Sequence, residues 1–281
     1  MPTMSKFAYA IVPGHFVQDE EQEDISKDVF TLPGLGLIEG QTNPNWSGFS
    51  DYLDQLNSES DQFQYKLILA TRHGEGYHNV KEAEVGTAAW ESYWAKLEGD
   101  GKTVWADADL TPKGRGQALA TNTFWKDAAA HLGLPLPRRH YCSPHSRCLD
   151  TCTLAFTDIP DAPPFRPIVK ELIRERLGVH TCDRRRTRTW IAENHPQFII
   201  EDGFKEADEL WKPDVRETLP EHAVRIKAFL DDLFSHDDET IVSLTIHSGS
   251  IMALFSVIGH VALHVAPGNI VPMLIRAERI D

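Results

Sequence analysis

Residues 66–80 read KLILATRHGEGYHNV, an apolar run that stops abruptly at Arg72, His73 and Gly74 and opens into a loop of small and polar residues. The run has the length and β-rich character of a buried strand. A strand ending in this way holds a cation and an imidazole side by side on rigid backbone. Taken alone, the pair is either a strand end that happens to be polar or a histidine placed beside a charge that recruits an anion. The rest of the chain separates the two.

Further apolar runs at 139–142, 168–172, 240–246 and 270–275 are compatible with buried strands, and helical patterns lie between them. Thr111 and Pro112 form an N-cap followed by a first-turn proline, with Ala118, Trp125, Ala129 and Leu132 on one face before Gly133 stops the helix. Thr218 and Glu221 read as a capping box for a helix whose stripe is Ile226, Phe229, Leu230 and Leu233. A third helix is expected from Ser248. Strands alternating with helices predict an α/β protein whose sheet is covered on both faces and whose site lies at strand ends. Residues 1–65, with the acidic stretch VQDEEQEDISKD at 17–28, read as an irregular extension packed on a core spanning 66–281.

The chain has 281 residues, a hydrophobic fraction of 41% and a formal net charge of −14. Length and composition suit a soluble globular protein with a substantial core. The negative charge argues against nucleic acid or an anionic membrane as partner, since both demand a basic surface. The amino terminus is a poor signal peptide and no run is long enough to span a bilayer, so a cytoplasmic location is expected. Cys142, Cys148, Cys152 and Cys182 form no CxxC pair and are expected to be reduced and buried. His180 and Cys182 lie two apart without a second pair at zinc spacing, and GEGYHN lacks the lysine of a P-loop, so neither a metal nor another cofactor is expected.

His247 ends the strand TIVSLTIH as His73 ends its own, and the run RRHYCS leads into PHSRCLDT with Arg147 about one turn into a helix. If these strands are neighbours, Arg72, His73, Arg147 and His247 converge at one place. Two guanidinium groups suit phosphate oxygens. One histidine can attack phosphorus while the other stabilises the transferring oxygens. Free N–H groups at helix starts add to the anion site.

The motifs TRHGEGYHN, LTPKGRGQA, SPHSRCLDT, RERLG and LTIHSGSI, in that order over residues 66 to 275, resemble those of the histidine phosphatase superfamily, the phosphoglycerate mutase-like proteins. The details ERLGVHTCDRRR and GEGYHNV are most similar to its fungal phosphomutase-like branch and related plant proteins. The resemblance implies a three-layer α/β/α sandwich with a mostly parallel sheet. It makes His73 the nucleophile, with Arg72, Arg147 and His247 completing the phosphate pocket and Asn79 touching the phosphoryl group. One branch of the family carries its proton donor directly after the second histidine, but Ser248 stands there in this chain. Glu175 of RERLG is the matching acid, with Glu171 and Asp109 in reserve and an ion pair to Arg174 or Arg176 as its ordinary alternative.

Other residues have plainer readings beside their functional ones. Glu75 reads as a solvent-facing loop carboxylate. Arg184, Arg185, Arg186 and Arg188 bind a second acidic group on the substrate or form a charged face. Residues 81–109, with Trp90, Tyr93, Trp94 and Trp105, form an insertion that either covers the cleft or packs onto the sheet. The glycolytic mutases continue after their glutamate as ERHYG, whereas this chain has ERLGV. The expectation is therefore a histidine acid phosphatase-type phosphomonoesterase acting on a small phosphorylated metabolite, with oligomeric state open. A mutase and a non-catalytic phosphate-ligand binder are the alternatives.

Overall fold

The computed structural model describes residues 7–20, 33–38 and 46–280. In chain order the elements are β1 (Phe7–Ile11), α1 (Trp46–Ser58), β2 (Phe63–Arg72), α2 (Tyr77–Val85), α3 (Thr87–Ser92), α4 (Pro112–His131), β3 (Arg139–Cys142) and α5 (Ser146–Phe156). They continue with β4 (Ile168–Val169), α6 (Arg188–Asn194), β5 (Ile199–Ile200), α7 (Leu219–His236), β6 (Ile241–Ile246), α8 (Ser248–Ile258) and β7 (Ile270–Arg279). The seven strands form one sheet in the order β1-β7-β2-β6-β3-β4-β5. β2, β6, β3, β4 and β5 run parallel, and β7 is antiparallel to both β2 and β1.

Two hydrophobic layers sandwich the sheet, as period-two alternation along a strand requires. Ile68, Ala70, Leu244 and Met273 face α7 and α8, where Phe229, Leu233, Leu254 and Phe255 are buried. Leu67, Leu69, Cys142 and Leu274 face the other way, toward Trp46, Phe49, Trp125, Leu149 and Cys152 of α1, α4 and α5. The expected α/β/α sandwich is therefore the fold. All four cysteines are free and buried. Among the described residues, no helix is long and apolar enough to cross a membrane.

Local signals placed most elements. Thr111 accepts a hydrogen bond from Gly114 N at 3.0 Å, with Pro112 in the first turn of α4. Thr218 and Glu221 form the reciprocal capping box of α7. The buried face of α4 is rotated from the expected one: Ala118, Thr121, Trp125 and Ala128 point inward, while Leu132 is an exposed C-cap. Ala118 and Trp125 point inward as expected, so the difference lies in Thr121 and in the last turn, where Ala128 is buried in place of Ala129 and Leu132.

The amino-terminal stretch is more regular than expected where it is described. β1 pairs with β7 from Phe7↔Arg279 to Ile11↔Ile275, and α1 buries Trp46, Phe49 and Leu53. Much of the acidic run 17–28 lies outside the described residues. The run 168–172 yields only a two-residue strand before a 3-10 turn begins at Glu171.

Candidate active site

β2 and β6 pair in parallel with Arg72 opposite Ile246, so His73 and His247 leave the sheet at the same edge. His73 N donates to Ile246 O at 3.0 Å, and Arg72 N donates to Asn269 O at 2.9 Å. β3 lies on the other side of β6, and the chain leaving it enters α5 with His145 as N-cap. Arg147 is the second residue of α5, not a full turn in, and this places it beside His73. His247 is the N-cap of α8, as expected, whereas the first helix after His73 begins only at Tyr77.

The His73 ring is almost fully buried, and Nδ1 lies 2.7 Å from Gly74 O, a carbonyl that can only accept. The proton is therefore on Nδ1, and Nε2 carries the lone pair. Arg147 Nε donates to that nitrogen at 3.3 Å. Burial first, then the Arg147 and Arg72 guanidinium groups, push the His73 pKa well below its ordinary value. The imidazole is a neutral nucleophile, already oriented.

Arg147 has one of the most deeply buried side chains in the protein. It donates to Cys182 O at 2.7 Å and pairs with Asp183 at 3.1 Å. Arg216 shares Asp183 at 2.9 Å and also donates to the carbonyls of Arg176 and Gly178. Burial raises the Asp183 pKa, but the half-buried Arg216 and the buried Arg147 guanidinium groups around the carboxylate outweigh it and hold the pKa below its usual value. Arg72 donates to Val265 O at 2.7 Å, and its buried Nε has no partner.

The His247 ring centroid stands 5.1 Å from that of His73. Its Nε2 meets Ser143 Oγ at 2.8 Å, and the same hydroxyl lies 3.1 Å from His145 Nδ1. His247 is wholly enclosed and does not border open space. A cleft of about 220 Å³ is instead lined by Arg72, His73, His78, Asn79, Arg147 and Glu175, with Glu82, Trp90, Glu91, His180, Asp183 and Arg216 around them. Asn79 lines the cleft while its Oδ1 accepts Gly76 N at 3.0 Å, closing the start of α2.

The family model for the histidine phosphatase superfamily (branch 1) matches residues 68–267, well over half of the chain. The chain belongs to this superfamily. The chain is 40% identical over 96% of its length, and 85% of the relative's, to a probable phosphoglycerate mutase of Arthroderma benhamiae. A probable phosphoglycerate mutase of Saccharomyces cerevisiae is 32% identical over 89% of each chain. A phosphomutase-like protein of Candida albicans is 35% identical over 77% of this chain and 67% of its own. The fungal character read from GEGYHNV and ERLGVHTCDRRR agrees with these relatives.

In this superfamily member Glu175 forms none of the expected ion pairs. Arg174 is bound by Glu171 and Asp208, and Arg176 donates to Glu217 O. Glu175 instead accepts Gly249 N at 2.9 Å and Arg176 N at 2.9 Å. A β-carbon at Gly249 would collide with the Glu175 carboxylate, so a glycine in the first turn of α8 is what admits the acid. Glu171 is held by Arg174 and Arg185, and Asp109 by Arg186, and neither lines the cleft.

Several expectations are corrected. Glu75 does not simply face solvent: it accepts Thr111 Oγ1 at 2.9 Å and pairs with Lys113 at 2.8 Å. None of Arg184, Arg185, Arg186 and Arg188 lines the cleft. Arg185 is buried over Phe204 and pairs with Glu171, Arg184 pairs with Glu98 and Arg186 with Asp109, so the plainer of the two readings, cations countering neighbouring acids, holds for three of the four. His180, Cys182 and Asp183 do approach one another at metal-ligand range, which the spacing did not suggest. However, Asp183 is already committed to two guanidinium groups, whose charges oppose a cation there.

The insertion forms a satellite core in which Trp90, Ala95 and Trp105 pack with Cys182. Lys81 lies 4.3 Å above the Trp94 ring and pairs with Asp100. Glu82, Trp90 and Glu91 reach the cleft, whereas no described residue of 1–65 lines it. Sequence reasoning did not single out His78, Arg216 or Asp183. The only signal for Asp183 was an acid directly before three arginines.

Proposed function

We propose that the protein is a phosphomonoesterase for small organic monophosphates that carry no second anionic group. The charge of the cleft carries this reading. Three guanidinium groups, of Arg72, Arg147 and Arg216, face four carboxylates, of Glu82, Glu91, Glu175 and Asp183, among the described lining residues. A phosphate dianion engages Arg72 and Arg147, and Arg216 is held by Asp183 and two carbonyls. No described cation is left for a carboxylate or a second phosphate. Glu82 and Glu91 repel one. A phosphoglycerate mutase handles both such groups, and this disfavours the activity suggested by the relatives' names.

In the proposed reaction His73 Nε2 attacks phosphorus, Arg147 Nε turns from that nitrogen to a phosphoryl oxygen, and the ester P–O bond breaks. Arg72, Asn79 and Arg147 bind the phosphoryl group, and His247 supports its developing charge from behind. Glu175, as the acid, protonates the leaving alkoxide. Its carboxylate then takes a proton from the water that cleaves the P–N bond, releasing inorganic phosphate and regenerating His73.

The test is brief reaction with substrate followed by an alkaline quench. A phosphoramidate is stable to base and labile to acid, and label is expected on the peptide containing His73. His73→Ala should lose label and turnover together. Sugar monophosphates should be hydrolysed in preference to 3-phosphoglycerate. Efficient conversion of 3-phosphoglycerate dependent on 2,3-bisphosphoglycerate would establish the mutase instead.

A further inference from the structure

We propose that His78 is a third histidine of the phosphoryl site, contacting the transferred group through an uncharged Nε2–H. This rests on the phosphomonoesterase reading above. His78 is the second residue of α2, is 8% exposed, and lines the cleft beside Asn79. Its ring centroid lies 5.5 Å from that of His73. Of the rings closest to His73, His78 borders open space, whereas His247 is enclosed and tied to Ser143.

The tautomer follows from the neighbours. Nδ1 is buried without a hydrogen-bond partner. A β-carbon on Gly76 would stand 2.7 Å from it, so the Cα hydrogens of that glycine face the nitrogen. A lone pair tolerates a C–H neighbour. An N–H in the same place would be a buried donor aimed at a C–H, at a cost of roughly 1–3 kcal/mol. The proton therefore belongs on Nε2, the nitrogen on the side away from Gly76.

Burial first, then Arg147, His73 and Arg72, hold the His78 pKa well below its ordinary value. The ring is thus a donor without a charge. That suits its place, because another cation would withdraw electron density from the His73 lone pair, while a neutral donor still stabilises the phosphoryl oxygens. The arrangement also accounts for the spacing of GEGYHN: Gly76 makes room for the ring, and the first turn of α2 turns His78 and Asn79 to the cleft together.

The experiment uses the full-length protein and orthovanadate, a five-coordinate mimic of the transferring group. His78→Phe keeps the ring volume and removes the donor, whereas His78→Gln places an amide N–H near the position of Nε2. His78→Phe should weaken orthovanadate inhibition, and lower kcat/KM for p-nitrophenyl phosphate, by about ten- to hundred-fold. His78→Gln should recover most of that loss. Equal inhibition of His78→Phe and wild type, or a Gln variant as impaired as Phe, overturns the proposal. Nitrogen-15 histidine spectra of the wild type give a check that needs no variant. They should show the Nε2–H tautomer and a shift of that resonance with orthovanadate, and an Nδ1–H tautomer overturns the assignment. If wild type neither turns over nor binds orthovanadate, while the His73→Ala control is indistinguishable from it, the phosphomonoesterase reading itself has failed and this proposal falls with it.

Discussion

Gly74 and Gly114 are packed back to back, and neither has room for a side chain. A β-carbon on Gly74 would strike the Gly114 carbonyl, and one on Gly114 would strike the backbone of Glu75. Around this contact Thr111 N donates to Glu75 O at 2.9 Å, and Glu75 N donates to Gln117 Oε1 at 2.8 Å. The glycine after the nucleophile thus admits the close approach of α4. The motif LTPKGRGQA clamps the loop carrying His73. Gly114→Ala should displace that loop by about an ångström and lower kcat/KM about 100-fold. Far-ultraviolet circular dichroism should stay native, and unchanged kinetics would show that the loop is held by other contacts.

Asp183 neutralises the buried Arg147 guanidinium and the half-buried one of Arg216. Asp183→Asn leaves Arg147 and Arg216 without their shared counter-charge and should destabilise the protein by about 3–5 kcal/mol. Urea unfolding of the variant measures this loss. A change within error would mean that the backbone carbonyls alone satisfy the two arginines.

Glu175→Gln removes the proposed proton donor while keeping the hydrogen-bond acceptor for Gly249 N. Alkyl phosphates, whose leaving group needs a proton, should slow by about 10²–10⁴-fold. Activated aryl phosphates should slow far less. Equal losses for both classes would remove Glu175 from that role. Gly249→Ala should show the same selective loss, because its β-carbon displaces the carboxylate.

Stability should fall as pH drops from 7.5 to 5.5. His73, His78, His145 and His247 all have folded-state pKa values pushed well below the ordinary imidazole value, by burial first. His140, away from the cleft, is lowered to about 4, also by burial. Below pH ~6.5 the unfolded chain takes up protons that the folded chain refuses, so stability rises with pH through this window and is lost on acidification. Asp107, raised to about 6 by burial, works in the opposite direction with a single proton. Thermal midpoints at pH 7.5, 6.5 and 5.5 should decrease in that order, and a flat series would refute the neutral cluster.

The positions of His73 and His247 were legible because a strand end is a local signal, carried by a few apolar residues and an abrupt polar stop. Caps at Thr111 and Thr218 were legible for the same reason. The partners of Arg147 were not. Asp183 lies 36 positions away and reaches it only after the 3-10 turn at Thr181–Asp183 packs under the insertion. β1 escaped notice because FAYAI is short, and its place in the sheet comes from β7, more than 250 residues later. The inward face of α4 was misjudged by one residue at Ala128, since periodicity alone does not say which apolar side chain wins the core.

The middle of the sheet is completed late in the chain. β6 lies between β2 and β3 although it begins at Ile241, and it brings His247 with it. A nascent chain that has emerged only through α7 holds β2 and β3 with the edges that face β6 unpaired. It also lacks one of the two histidines. Native pairing at the centre must wait for β6 itself to leave the ribosome. During that interval the exposed edges invite pairing with other chains. The phosphate pocket and the hazard of aggregation during synthesis thus share one cause in the strand order, and a truncation before Ile241 should give insoluble protein, not a smaller enzyme.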